Sequence, residues 1–301
     1  MGAISSLFGY ILNALYNLFN NYGIAIIIFS ILLRIILIPI TIKQQKTMKK
    51  TTKMQQEMNS IREKYKNDPE KLNQETIELY KREKMSPFSG CLSAILQLVI
   101  ILAVFWLVSQ PLTYMKKVQN SELFNEYKQK IEEQTDTKST YKEIAIIDNV
   151  ESDYQEILNN LNDENVENRE ELENRKNQLE ELRINMEFLG LDLSKVPTQS
   201  LNDWKVYVIP VLYVITSFIS IRLTTKTQNS QNDNEVKSAE AESMEQMNKS
   251  MSYMMPIMSI SIAAIAPLGL ALYWLVSNIL MIFERLIINK FMNSKEGQED
   301  A

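Results

Sequence analysis

Arg34 is the first charged residue of the chain, and it stands eleventh of nineteen in the apolar run 24–42, IAIIIFSILLRIILIPITI. A guanidinium near the middle of a bilayer costs about 2.5 to 3.5 kcal/mol on insertion scales, while the run's Ile, Leu and Phe residues contribute roughly 4 to 8 kcal/mol in favour. The segment therefore inserts with its charge aboard, and an ionisable residue at that depth is a functional-site candidate whose natural ligand is an anion or a carboxylate. No Asp or Glu lies near the centre of another apolar run, Glu284 falling towards the end of the last one. The expectation is that Arg34 faces a hydrated cavity rather than a buried ion pair. Side chains able to line such a cavity are Ser30, Gln97, Thr216, Ser217, Ser220, Ser259, Ser261, Tyr273, Ser277 and Asn278. The serines and threonines also have an ordinary role, packing or bonding back to the preceding helical turn. Gln97 and Asn278 carry more information, because a primary amide in lipid demands partners. Tyr273 and Trp274 read equally as cavity walls or as interfacial anchors.

The composition removes other chemistry. With no histidine among 301 residues, imidazole acid/base catalysis, Ser-His-Asp triads and imidazole metal sites are excluded. The lone Cys91 excludes internal disulfides and thiolate zinc clusters. The reading is of a non-enzyme that needs no cofactor and no metal.

Five apolar runs position these residues. Run 24–42 is followed by 90–112, 205–223, 251–266 and 270–288, the last two separated only by Pro267-Leu268-Gly269, which predicts a tight turn. The predicted fold is an all-α polytopic membrane protein with five transmembrane helices, a helical hairpin on one side and a helical insertion on the other. Segment 43–89 carries 12 Lys/Arg against 7 acids, net +5, and the stretch 116–203 within segment 113–204 carries 11 against 21, net −10. The positive-inside rule then makes 43–89 cytoplasmic and 113–204 external, with the N-terminus outside and loop 224–250 and tail 289–301 inside, as in a multi-pass protein of a bacterial plasma membrane.

The flanking segments are patterned. In residues 1–23, Asn13, Asn17, Asn20 and Asn21 make a polar stripe on an otherwise apolar helix, expected to lie in the outer interface rather than to act as a signal peptide, since a basic n-region is missing. In 43–89, Met54, Met58, Ile61 and Tyr65 share one helical face and Leu72, Thr76, Leu79 and Tyr80 another, with Asn67-Asp68-Pro69 between them, a helical hairpin with a basic exterior suited to ribosomal RNA or anionic lipid. In the acidic segment, Val150, Tyr154, Ile157 and Leu161 form one stripe and Leu172, Leu179, Leu182 and Met186 a second, which predicts two helices. Methionines 244, 247, 251, 254, 255 and 258 run at helical spacing into 251–266, a flexible surface or ordinary packing.

The ordered set YGIAIIIFSILLRIILIPITIKQQKTMKKTTKMQQ, SPFSGCLSAILQ, FLGLDLS and MMPIMSISIAAIAPLGLALYWLVSN resembles the YidC/Oxa family of membrane protein insertases in its five-span form. The resemblance covers most of the chain outside about residues 116–185. It implies that Arg34 is the charged residue of a hydrophilic groove, that Gln97 is the glutamine following the GCL segment, and that Trp274 is a groove-facing aromatic. It implies that 43–89 is the family's cytoplasmic coiled-coil hairpin, and that the partners are nascent membrane proteins, the lipid bilayer, the ribosome and the Sec translocon. The chain departs from the family pattern at Ser93 and Val99, where many members carry proline, and in the third span, where a glutamine often stands near Ser220. The candidate groove is thus Arg34, Gln97, Ser220, Tyr273, Trp274 and Asn278. The rival reading is an anion transporter or channel that uses Arg34 as a midplane binding site.

Overall fold

The computed structural model describes residues 2–84, 89–134, 141–163, 168–229 and 262–299, and among these the chain is mostly helical. Among the described residues, three helices are long and apolar enough to cross a membrane, Tyr22–Thr47, Trp204–Leu223 and Leu268–Ile288, and Ile95–Ser109 is a shorter apolar helix. Loop 230–250, methionines 244 to 258, Ser259, Ser261 and nearly all of the run 251–266 lie outside the described residues. The chain divides into two compact units. The first holds Met1–Leu32, Ile100–Tyr213 and Ile260–Ser277, the second Leu33–Val99, Val214–Ser259 and Asn278–Ala301.

In the first unit, α1 (Gly2–Phe19) buries Ser5, Gly9, Leu12 and Tyr16, residues spaced at one or two helical turns. That face packs on a π-helical turn, Leu112–Lys116. The approach is closest at Gly9, where a Cβ would stand 1.9 Å from the Tyr114 carbonyl oxygen. Ser5 Oγ donates to the Ala103 carbonyl at 3.0 Å. The face that α1 fixes is therefore the one carrying Ser5, Gly9, Leu12 and Tyr16, while Asn17 is exposed and Asn13 half-buried. Asn20, at φ 47°, ends α1, and the Asn21 side chain accepts from the Ile24 amide at 3.0 Å to start α2 (Tyr22–Lys64). Pro111 stops α4 (Ser89–Ser109), and the following π turn closes on Lys117 in the left-handed region.

Three helices, α5 (Glu122–Gln134), α6 (Lys142–Leu161) and α7 (Arg169–Leu182), pack on one another. The sequence reading expected two; α5 escaped it because its stripe of Phe124, Tyr127 and Ile131 is short and sits among charged residues. Arg183 pairs with both oxygens of Glu151, at 2.6 and 3.0 Å, and Arg175 pairs with Glu126. The chain then forms a small hairpin of β1 (Glu187–Phe188) and β2 (Leu191–Asp192), turning at Leu189 and Gly190 with φ of 53° and 75°. Phe188 lies against Gly23, where a Cβ would come within 2.5 Å of its ring. The Lys195 and Leu193 carbonyls accept from the amides of Leu268 and Gly269, both at 2.9 Å, so the first orphan donors of α9 (Leu268–Glu299) are met from this loop.

In the second unit, α2 runs through Pro39 and on to Lys64 without a break at the expected boundary of 42 and 43. Gln, Lys, Met and Glu dominate this stretch and are strong helix formers, so nothing ends the helix before the Asn67-Asp68-Pro69 turn. Asp68 caps α3 (Pro69–Arg82) by accepting from the Lys71 amide at 3.1 Å. Met54, Met58 and Leu79 form a buried cluster, with Ile61 and Tyr80 packed against it. Among the described residues the unit also holds the first part of α4, α8 (Val208–Asn229) from Val214 onward and the continuation of α9, which extends through most of the segment read as a tail.

Candidate functional site

The bonded polar residues of the candidate site come from three helices of the second unit. Helix α2 contributes Arg34, α8 contributes Thr216, Ser217 and Ser220, and α9 contributes Asn278 and Glu284. Asn278 is buried, and its amide donates to Thr216 Oγ1 at 3.2 Å and to Ser217 Oγ at 3.0 Å. One NH₂ group thus holds two hydroxyls on successive residues of the facing helix. In lipid this is how packed helices gain specificity, because apolar contact alone does not distinguish a helix from the solvent. Ser220 is buried one turn further along α8 from Thr216.

Arg34 does not stand apart from every carboxylate. Its Nη1 lies 3.3 Å from Glu284 Oε2, with the two side chains 19% and 9% exposed. This corrects the expectation of a cavity without an ion pair. Depth along the helix is set by each Cα, whereas a long arginine side chain reaches along its neighbour by about one helical turn, roughly 5.4 Å. The other carboxylate oxygen, Glu284 Oε1, is buried without a hydrogen-bond partner among the described residues. At 3.3 Å the attraction is ~5 kcal/mol for an effective dielectric near 20, set against the desolvation of both charges. The signal that would have identified Glu284 was present: it is the one acid within the last apolar run.

The remaining candidates lie elsewhere. Gln97, on the part of α4 that belongs to the second unit, is exposed. Tyr273 and Trp274 belong to the first unit, where Tyr273 is buried and the half-buried Trp274 ring stands 6.3 Å from Tyr213. The structure therefore brings Arg34 to Glu284, and Asn278 to Thr216 and Ser217, and makes Trp274 a partner of an aromatic ring. Among the described residues, no group of three or more Asp, Glu or Cys side chains is arranged to hold a metal ion.

The sequence model of the family described as 60Kd inner membrane protein matches residues 14–296. A protein of Fusobacterium nucleatum named membrane protein insertase YidC is 46% identical over 96 residues, covering 32% of this chain and 47% of its own. One of the same name from Treponema denticola is 26% identical over 284 residues, 94% of this chain and 37% of its own. Membrane protein insertase YidC 2 of Listeria innocua is 25% identical over 287 residues, 93% of this chain and 68% of its own. The chain thus spans less than half the length of the first two of these relatives.

Proposed function

The chain belongs to the 60Kd inner membrane protein family, the YidC/Oxa family, and on that premise we propose that it is a bacterial multi-pass membrane protein insertase that receives nascent membrane proteins in a hydrophilic groove and releases them into the bilayer. The observation that carries the reading is Arg34, a cation within the otherwise apolar run 24–42 and one-fifth exposed, in reach of a carboxylate. The client's short hydrophilic end brings acidic residues to Arg34, in surroundings where low dielectric strengthens the attraction. Its apolar helix then passes into lipid, driven by transfer of its own apolar surface.

Gln97, Ser220 and Asn278 share the second unit with Arg34 and are read as the polar wall of the groove, Asn278 acting through the helix pair it holds. Tyr273 and Trp274 enter on the family resemblance. The net charge of +5 over 43–89 supports docking of the ribosome there, and the Sec translocon is the second proposed source of clients. In the proposed topology the N-terminus is outside, the C-terminus is cytoplasmic, and 251–266 supplies one of five spans.

Reconstitution in vesicles with a translated single-span client bearing an acidic tail tests the reading. Arg34→Ala should lower insertion at least about tenfold, as expected for loss of a hydrogen bond to a charged group, and Arg34→Lys should lower it less. Undiminished insertion by Arg34→Ala removes Arg34 from the mechanism. Anion flux into protein-only vesicles, abolished by the same substitution, would establish the transporter reading instead.

A further inference from the structure

Glu284 has the geometry of an exchangeable partner. A buried carboxylate at equilibrium with a fixed guanidinium ordinarily uses both oxygens in short, forked contacts of about 2.7 to 2.9 Å. Glu284 instead meets Arg34 through one oxygen at 3.3 Å, with Oε1 buried and without a hydrogen-bond partner among the described residues and the side chain only 9% exposed. Elsewhere in this protein the forked arrangement is present: Arg183 takes both oxygens of Glu151 at 2.6 and 3.0 Å. The Arg34 contact is thus the less complete of the two, in the more apolar setting.

From this contrast we infer that Glu284 is a resident competitor for Arg34, a carboxylate that the client's acidic residue must displace, so that it sets how acidic a client segment has to be. The inference rests on the insertase reading above. A neutral segment offers Arg34 nothing better than Glu284 and leaves the pair closed. A client Asp or Glu free to approach with both oxygens makes the more complete contact and opens it. Selectivity then arises from a comparison of two carboxylates at one guanidinium, as in any site that rejects a competitor by an internal standard.

The experiment uses the full chain in lipid nanodiscs and two synthetic peptides, one with a pair of Asp residues in a client-like hydrophilic tail and one with Asn at those positions. Glu284→Gln should tighten the acidic peptide about tenfold and leave the amide peptide unchanged. Glu284→Asp, which keeps the charge but withdraws it by one methylene, should tighten the acidic peptide by an intermediate factor. Arg34→Ala should remove the preference for the acidic peptide. Unchanged or weaker acidic-peptide binding in both Glu284 variants, with the preference still lost in Arg34→Ala, overturns the inference and makes Glu284 a structural counterion while the insertase reading stands. An acidic preference that survives Arg34→Ala overturns both.

Discussion

Replacing Asn278 with Ala removes the amide that donates to Thr216 and Ser217 at 3.2 and 3.0 Å. Interhelical hydrogen bonds in a bilayer are worth about 0.6 kcal/mol each on average, with an upper value near 1.7. The two bonds predict a loss of about 1.2 kcal/mol of helix-pair stability, with Thr216 and Ser217 recovering part of their bonding from their own helix. The pairwise part is isolated by a double-mutant cycle with Ser217→Ala, read from reversible unfolding in bicelles. The expected coupling is about 0.6 kcal/mol, roughly a threefold change in the unfolding constant. A coupling indistinguishable from zero would refute the clamp, since the 3.0 Å bond could not then hold the helices in the membrane. The same pair of variants separates a clamp from a contact with client. If Asn278 only clamps, Ser217→Ala and Asn278→Ala lower insertion in proportion to their stability losses. If the amide touches client, Asn278→Ala lowers insertion beyond that proportion.

Two further outcomes are expected in the first unit. Gly9→Ala places a methyl carbon against the Tyr114 backbone, an approach of 1.9 Å that no rotamer relieves, so α1 should undock; a fall in melting temperature and faster proteolysis near Gly9 would show it, and an unchanged melting curve would contradict the packing. Glu143 is buried on α6, accepting from the Thr113 amide at 3.0 Å and from its hydroxyl at 2.5 Å, and burial raises its pKa against the lowering effect of these bonds. A raised folded-state pKa means stability that is present below the ordinary carboxylate range and is lost as pH rises through the folded pKa. The melting temperature of the native chain relative to Glu143→Gln should therefore fall from pH 4 towards neutrality, and a difference constant across that range would count against the assignment.

The parts legible in the sequence were those where one physical signal dominates. Long, predominantly apolar runs mark helices such as Leu268–Ile288 whatever surrounds them. Where two signals met, the stronger decided. Hydropathy changes at residue 43, yet helix propensity does not, and α2 continues to Lys64. Helix α5 is weakly marked because its face of Phe124, Tyr127 and Ile131 lies among charges and gives little periodicity until α6 and α7 bury it. The β-hairpin was invisible to pattern reasoning, being two residues a strand and resting on Leu189 in a backbone region that favours glycine. Site residues followed the same division. The type of Arg34 announced a site, but its partner depended on side-chain reach, which spacing along one helix does not encode.

The bonding of the candidate groove residues in the resting structure constrains how the proposed activity proceeds. Arg34 is already paired with Glu284, and Asn278 already holds two hydroxyls. A client that contacts either residue replaces a bond rather than adding one, and the net free energy of an exchange between like partners is small. Such a groove lowers the barrier for a hydrophilic segment without holding it tightly, because a client's carboxylate gains at Arg34 only the difference between its own contact and the one Glu284 already supplies. Release requires Glu284 to return, a step favoured by its own buried charge once the client's acid moves on. The net driving force then resides in the client, whose apolar helix leaves water for lipid at about 0.8 kcal/mol per buried methylene. On this account, strengthening the client's contact with Arg34 beyond the resident pair should slow release. Insertion by Glu284→Gln should accordingly show faster capture of acidic clients and slower turnover.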